Sequence, residues 1–89
     1  MRAVITVIGK DMVGILAKVS GTCTEANANI IEVTQSVLQD MFAMIMLVDI
    51  SGLGMPFDQF AAKVGETGRG MNLSIHVMHE DIFNSMHRI

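Results

Sequence analysis

Gly9-Lys10-Asp11-Met12-Val13-Gly14 joins two segments whose apolar residues recur with different periods. Upstream, residues 2–8 alternate as a strand does, with Ala3, Ile5 and Val7 on one face and Val4, Thr6 and Ile8 on the other. Downstream, Ile15, Leu16, Val19, Cys23 and Ala26 recur at helical spacing. The hexapeptide must therefore carry the chain out of a sheet and into a helix. Gly9 suits a step that needs positive φ or close approach. Asp11 suits the N-cap of a helix spanning about 12–26, because its carboxylate can accept from first-turn amides and meets the positive end of the helix dipole. Gly14, placed in that first turn, leaves the amides uncovered. The result is a pocket of backbone donors fit for a carboxylate or phosphate. From the turn alone the plainer reading is structural, since short strand-to-helix connections with a capping Asp and a Gly are common and usually bind nothing.

Beyond this helix, Asn27-Ala28-Asn29 is a turn signal, and residues 29–38 read as a second strand. Ile31, Val33 and Val37 share one face of it; Glu32, Thr34 and Ser36 make the other, wetter face. Gln39-Asp40 then breaks the pattern before an apolar run over 41–50, so the two strands read as an antiparallel hairpin. That third strand is apolar on both faces and belongs inside the sheet, with Ala43, Ile45 and Leu47 toward the helices and Met44, Met46 and Val48 away. Pro56 opens a second helix whose buried stripe is Phe57, Phe60, Ala61 and Val64, and Gly65, Gly68 and Gly70 end it near 68–70. A fourth strand at 72–79 puts Leu73, Ile75 and Val77 opposite Ser74, His76 and Met78. Residues 80–89 form a short helix with Ile82, Met86 and Ile89 as its apolar edge and Arg88 near its end.

The order β-α-β-β-α-β, with right-handed crossovers, closes as an α+β ferredoxin-like sandwich. Its four-stranded antiparallel sheet has order 4-1-3-2, two helices on one face, and a short C-terminal helix. Residues 1–79 would be the domain and 80–89 a tail packed on it or on a partner subunit. The other face, expected to carry Val4, Ile8, Met44, Met46, Val48 and Met78, is too apolar to stay wet. A second subunit, the tail, or both should cover it.

Composition agrees with association. Of 89 residues, 51% are apolar and 17% charged, more oil than one small core needs. A chain of this size buries only roughly 60 to 65% of its unfolded surface. The net charge is −3, and Arg2, Lys10, Lys18, Lys63, Arg69 and Arg88 are scattered, so no basic stripe offers itself to nucleic acid. The aromatic fraction is 4%, all of it Phe, which leaves no base-stacking platform. The longest uninterrupted apolar run, 41–48, falls far short of the ~20 residues of a membrane span, and no signal-peptide pattern follows Met1. A cytoplasmic location is the expectation.

The run from Gly9 to Val19, with Asn29-Ile30 opening the second strand, resembles the ACT domain, a small regulatory module of amino-acid metabolism. The resemblance extends over nearly the whole chain, because the order and lengths of the elements also fit. Within the family it is most similar to the small stand-alone ACT proteins, and next to the two-ACT repressor of the glycine cleavage system. The resemblance implies a non-catalytic domain that pairs with another copy and, in many members, binds an amino acid where subunits meet. By position it implies a ligand site over Gly9, Lys10, Asp11, Met12, Val13, Gly14 and Asn29. Asp11 would be a polar loop contact, Gly14 the close-approach glycine, and Asn29 the side chain that holds the ligand's carboxylate or amino group. Gly9 stands where some serine-binding members carry His, a loss of a polar contact that argues against serine, and Val13 replaces a frequent Pro.

Other chemistry has little support. The fold order also resembles acylphosphatase, but that enzyme needs an Arg in the first loop, where this chain has Lys10. No paired carboxylates are suitably spaced, and Cys23, on the apolar stripe of the first helix, reads as a buried reduced thiol with no nearby His. His76 and His79 face opposite sides of a strand and cannot share an ion; His79 and His87 would meet only if the tail folded back. Methionines 44, 46, 55, 71, 78 and 86 read as adaptable packing rather than soft-metal ligands. No catalytic residue, cofactor or metal is expected. Two functions follow: a homodimeric amino-acid sensor acting on another protein in trans, or an assembly module that uses its bare sheet face and has no working ligand site.

Overall fold

A computed structural model describes residues 1–10 and 14–86. The strands are β1 (Arg2–Gly9), β2 (Asn29–Leu38), β3 (Met41–Asp49) and β4 (Ser74–His79); the helices are α1 (Ile15–Glu25), α2 (Phe57–Arg69) and α3 (Glu80–Met86). They form one antiparallel sheet of order β2-β3-β1-β4, the expected 4-1-3-2 read from the other edge. The doubly apolar β3 lies inside, as its composition requires. Asn27, at φ 64, makes the left-handed step between α1 and β2, and Gln39, at φ 55, does so in the β2–β3 hairpin.

Register decides which side of each strand meets the helices. Across β1 and β3, Ala3 faces Val48, Ile5 faces Met46, Val7 faces Met44 and Gly9 faces Phe42. Directly opposed residues share a face. All of these but Gly9 belong to the core, together with Ile15, Val19, Cys23, Phe60, Val64 and others. The expected facing of β3 is therefore corrected: Met44, Met46 and Val48 pack under the helices, while Ala43, Ile45 and Leu47 lie on the open face. Alternation was blind to this because both faces of the run are apolar; only pairing with β1 sets the parity. A bulge between Ile30 and Glu32 likewise removes Ile31 from the face it was expected to share with Val33 and Val37, and leaves it exposed. Val37, on the edge strand β2, is also exposed.

The helix bounds shift by a few residues. The first helix starts at Ile15 with Gly14 at the N-cap position, so the expected start at Met12 is corrected, while the expected Asp11 cap falls on a residue outside those described. Asp11, Met12 and Val13 themselves lie outside the described residues. In α2, Phe60, Val64 and Gly68 are fully buried, with Phe57 and Ala61 half-buried. The helix ends against Gly70, close to where its glycines predicted. Gly68 is required by contact: a Cβ there would stand 2.5 Å from Ile75 Cδ1 and 2.6 Å from its Cγ1. Thr22 and Thr67 hydroxyls, 2.8 Å apart, tie α1 to α2.

On the face away from α1 and α2, Val4 is only 3% exposed yet stands outside the core. The element packed against β1 and β4 there is α3, and Arg2 joins Glu80 at its start by an ion pair of 2.7 Å. The expected apolar edge of this helix is corrected: Ile82 and Met86 are exposed, and Phe83 is the half-buried residue. Arg88 and Ile89 lie outside the described residues. Ile8 and Ile45 remain 44% and 43% exposed beyond the reach of α3, so part of the face is open in the single chain.

The two glycines of α2 test the packing. Gly68→Ala should lower stability by about 1–3 kcal/mol through overpacking against Ile75. Gly65→Ala, whose Cβ would have only Arg69 Nη1 near it at 3.8 Å, should be neutral or stabilising by up to about 1 kcal/mol. Urea denaturation of both variants measures the contrast.

Candidate functional site

The expected site begins where β1 ends. Gly9 lies opposite Phe42, and a Cβ on it would overlap a terminal methyl of Leu73, so close approach, not a positive φ, is what favours glycine. Lys10 follows with an exposed side chain. Gly14 has φ 75 and ψ 1, a left-handed step that L side chains adopt at a cost of roughly 1–2 kcal/mol. Its carbonyl accepts the Lys18 N–H at 3.0 Å, and among the described residues no side chain caps the helix. A Cβ on Gly14 would meet nothing within 4 Å. Gly14 thus precedes the first turn, rather than lying in it, and its backbone twist is what calls for glycine.

Asn29 is elsewhere. It opens β2 opposite Asp49, and with Thr24, Asn27 and Ala28 it lines a hollow of about 240 Å³. Gly9 and Asn29 therefore sit opposite Phe42 and Asp49, seven residues apart along β3. At ~3.3 Å per residue that is roughly 23 Å. One chain gathers Gly9, Lys10 and Gly14 at one end of the sheet and leaves Asn29 at the other. Asp49 is held in a tight turn, its Oδ1 accepting the Ser51 N–H at 2.9 Å. Hydrogen bonding from Ser51 keeps its carboxyl below the usual carboxylate range, helped slightly by the N-terminal ammonium and Arg2. That ammonium donates to Ser51 Oγ at 3.0 Å.

Beside Gly9 and Lys10 the surface sinks into a hollow of about 500 Å³, walled by Met41, Met71 and Asn72. Sequence reading did not single out these three as site residues. Met41 opens β3, and Met71-Asn72 is the turn before β4, so they are brought together only when the hairpin and that turn meet at one end of the sheet. The sole local signal was the Gly70-Met71-Asn72 turn composition. A hollow of about 630 Å³ at the other end of β1, among Met1, Arg2, His79, Glu80, Asp81 and Ile82, contains the Arg2–Glu80 ion pair.

The remaining candidates have structural roles. Burial pushes the Cys23 thiol up to about 11, so it stays protonated at neutral pH, which opposes a reactive-thiol role. His79 lies opposite Ala3 on the helix face, stacked on Phe57 with ring centroids 4.0 Å apart; His76 lies opposite Thr6 on the open face. The two imidazoles are on opposite sides, as alternation predicts, and His87 lies outside the described residues. Among the described residues no three His, Cys, Asp or Glu side chains converge as a metal site would need.

Comparison with known proteins agrees with this architecture. A model of the ACT domain matches residues 2–77. The chain belongs to the ACT domain family. It is 45% identical to a UPF0237 protein of Listeria monocytogenes over all 89 residues of both. Among solved structures, an ACT domain protein from Streptococcus pneumoniae superposes with a TM-score of 0.81 at 36% identity, covering 98% of each chain. A putative glycine cleavage system transcriptional repressor superposes with a TM-score of 0.70 at 26% identity, over 85% of this chain and 43% of that one. ACT domains are typically ligand-binding regulatory units, generally non-catalytic, and commonly dimerise. No helix among the described residues of this ACT domain is long and apolar enough to cross a membrane.

The Asp49 turn at the Asn29 end predicts a pH effect. A carboxyl with a depressed folded-state pKa contributes stability above its ordinary value of about 3.9, and that contribution is lost as pH falls through the lower, folded value. Urea midpoints should therefore be lower for Asp49→Asn than for the wild type at pH 7, and the difference should shrink as pH falls below the ordinary carboxylate range.

Proposed function

We propose that this ACT domain is a non-catalytic, cytoplasmic homodimeric sensor that binds a small amino acid where two copies meet and signals to another protein in trans. The domain proper is taken as residues 1–79, with 80–89 as a tail. The ligand site is taken as Gly9, Lys10, Asp11, Met12, Val13 and Gly14 of one copy with Asn29 of the other.

One observation carries this reading: Gly9 and Asn29 are separated by seven positions along β3. A single amino acid cannot span roughly 23 Å, so a ligand that touches both residues needs two chains. The edge strand β2 supplies a route. Its outer side has unpaired N–H and C=O groups in the single chain, a ready template for another strand. Antiparallel pairing of two β2 edges about a two-fold axis would carry Asn29 of a second copy to the Leu38 end, the same end as Gly9. There the Lys10 ammonium and the first amides of α1 would offer donors to a carboxylate, and Asn29 an amide to the remaining polar group. The exposed Ile8 and Ile45 favour the second reading, a module that assembles through its open face without a ligand.

Titration calorimetry against the twenty amino acids, with light scattering for mass, separates these readings. The sensor reading expects binding to a particle of two chains, with Asp11→Ala and Asn29→Ala each weakening it by about 1–3 kcal/mol. Mixing the two variants then tests the shared site. If each site draws on both chains, a mixed dimer regains one intact site and half the heat of binding. No recovery after subunit exchange overturns the two-chain site, and no binding by any amino acid leaves the assembly module.

A further inference from the structure

We infer that the hollow beside Gly9 selects an apolar side chain, so that the ligand is a leucine- or methionine-like α-amino acid or its 2-oxo counterpart, with Lys10 holding the carboxylate. This narrows the ligand-binding reading above and rests on it.

The walls decide the side-chain class. Met41 and Met71 face the hollow with flexible thioether chains, which fit themselves to apolar shapes of similar size. A polar side chain placed between them would give up water without gaining a partner, whereas an apolar one gains by leaving water. A space of about 500 Å³ is ample for leucine or methionine and falls within the range of ordinary ligand clefts.

The rim decides the head group. Lys10 is the one charged residue among the described residues that line the hollow, and it stands on a chain of net charge −3. Among the described residues neither the Lys10 ammonium nor the Asn72 amide has a hydrogen-bond or ion-pair partner. Two unengaged donors above an apolar floor suit a carboxylate on a short apolar chain. No carboxylate among the described lining residues is present to demand an ammonium, which is why the 2-oxo acid fits the same chemistry.

The wall is also built in advance. Asn72 is held at φ 61 by a turn in which the Met71 and Leu73 N–H groups donate to Gly68 O at 3.0 and 2.8 Å, and Asn72 N–H donates to Arg69 O at 3.3 Å. Gly9 presses against Leu73 and so brings the Lys10 rim to the Asn72 rim. The Asn72 side therefore does not have to be ordered by the ligand, which lowers the entropic cost of binding there.

The test is calorimetric titration of the intact protein with leucine, methionine, 4-methyl-2-oxopentanoate, serine, glycine and aspartate. Leucine or methionine, or the 2-oxo acid, should bind at least tenfold more tightly than serine, glycine and aspartate. Which of the two head groups binds identifies the source of the ligand, and either supports the inference. Lys10→Gln should weaken binding about tenfold. The double variant Met41→Ala, Met71→Ala should bring the leucine-to-serine affinity ratio toward one, a change that mere loosening of the fold would not produce. Asn72→Gly, which keeps the left-handed backbone, removes the amide and should weaken binding severalfold. Tighter binding of serine, glycine or aspartate, with affinity indifferent to the methionine variants, overturns this inference while the sensor reading stands. Absence of binding by all six compounds overturns this inference, and only absence of binding across the twenty amino acids overturns the sensor reading as well.

Discussion

The structure depends on the antiparallel register that ties β1 to its two neighbours. Pairing of Ile5 with Met46 on one side and with Val77 on the other puts three strands into a single parity. Because side chains alternate, a slip of one residue would turn Met44, Met46 and Val48 out from under α1 and α2 and bring Ala43, Ile45 and Leu47 in. Those smaller or differently branched residues would not fill the space that the methionines occupy. The core is thus specified by hydrogen-bonded pairing as much as by hydrophobicity.

Close packing then concentrates at two glycines. Gly9 lets the end of β1 approach Leu73, and Gly68 lets the last turn of α2 lie on Ile75. Both contacts act on the lead into β4, the shortest strand, and so help hold that edge of the sheet to its helix. They also bring the end of β1, the start of β3 and the turn before β4 into one corner. The hollow among Gly9, Lys10, Met41, Met71 and Asn72 is a product of that corner. At the other end of β1, α3 covers Val4 and is fastened by Arg2 to Glu80, leaving Ile8 and Ile45 without cover in one chain.

The parallel relation of β1 and β2, both antiparallel to β3, separates the polar features that the family resemblance groups together. Gly9 ends one strand and Asn29 begins the other, so the βαβ crossover sets them at opposite ends of the sheet. A two-fold axis along the β2 edge reverses one copy relative to the other and would reunite them. In the proposed sensor, ligand and dimer then depend on each other, because a site completed by two chains also links them. The Met41 and Met71 walls belong wholly to one chain and would set which side chain is accepted.

Much of this was legible in the residues themselves. Alternation over residues 2–8 and 72–79, helical spacing after Gly14 and in 57–64, and the Asn27 and Gln39-Asp40 turns mark every element, because periodicity is a local consequence of burying one face. From the order of elements, the sheet order and the open face follow by chain connectivity. Local pattern did not settle the facing of β3, apolar on both sides, nor the bulge at Ile31, nor the start of α1 at Ile15, which Gly14's left-handed twist sets. It also did not reveal that Asn29 lies far from Gly9 within a chain, or that Met41, Met71 and Asn72 meet Lys10. Each of these is set by which residue pairs with which across the sheet. That choice rests on the packing of distant segments, which no single stretch of sequence contains.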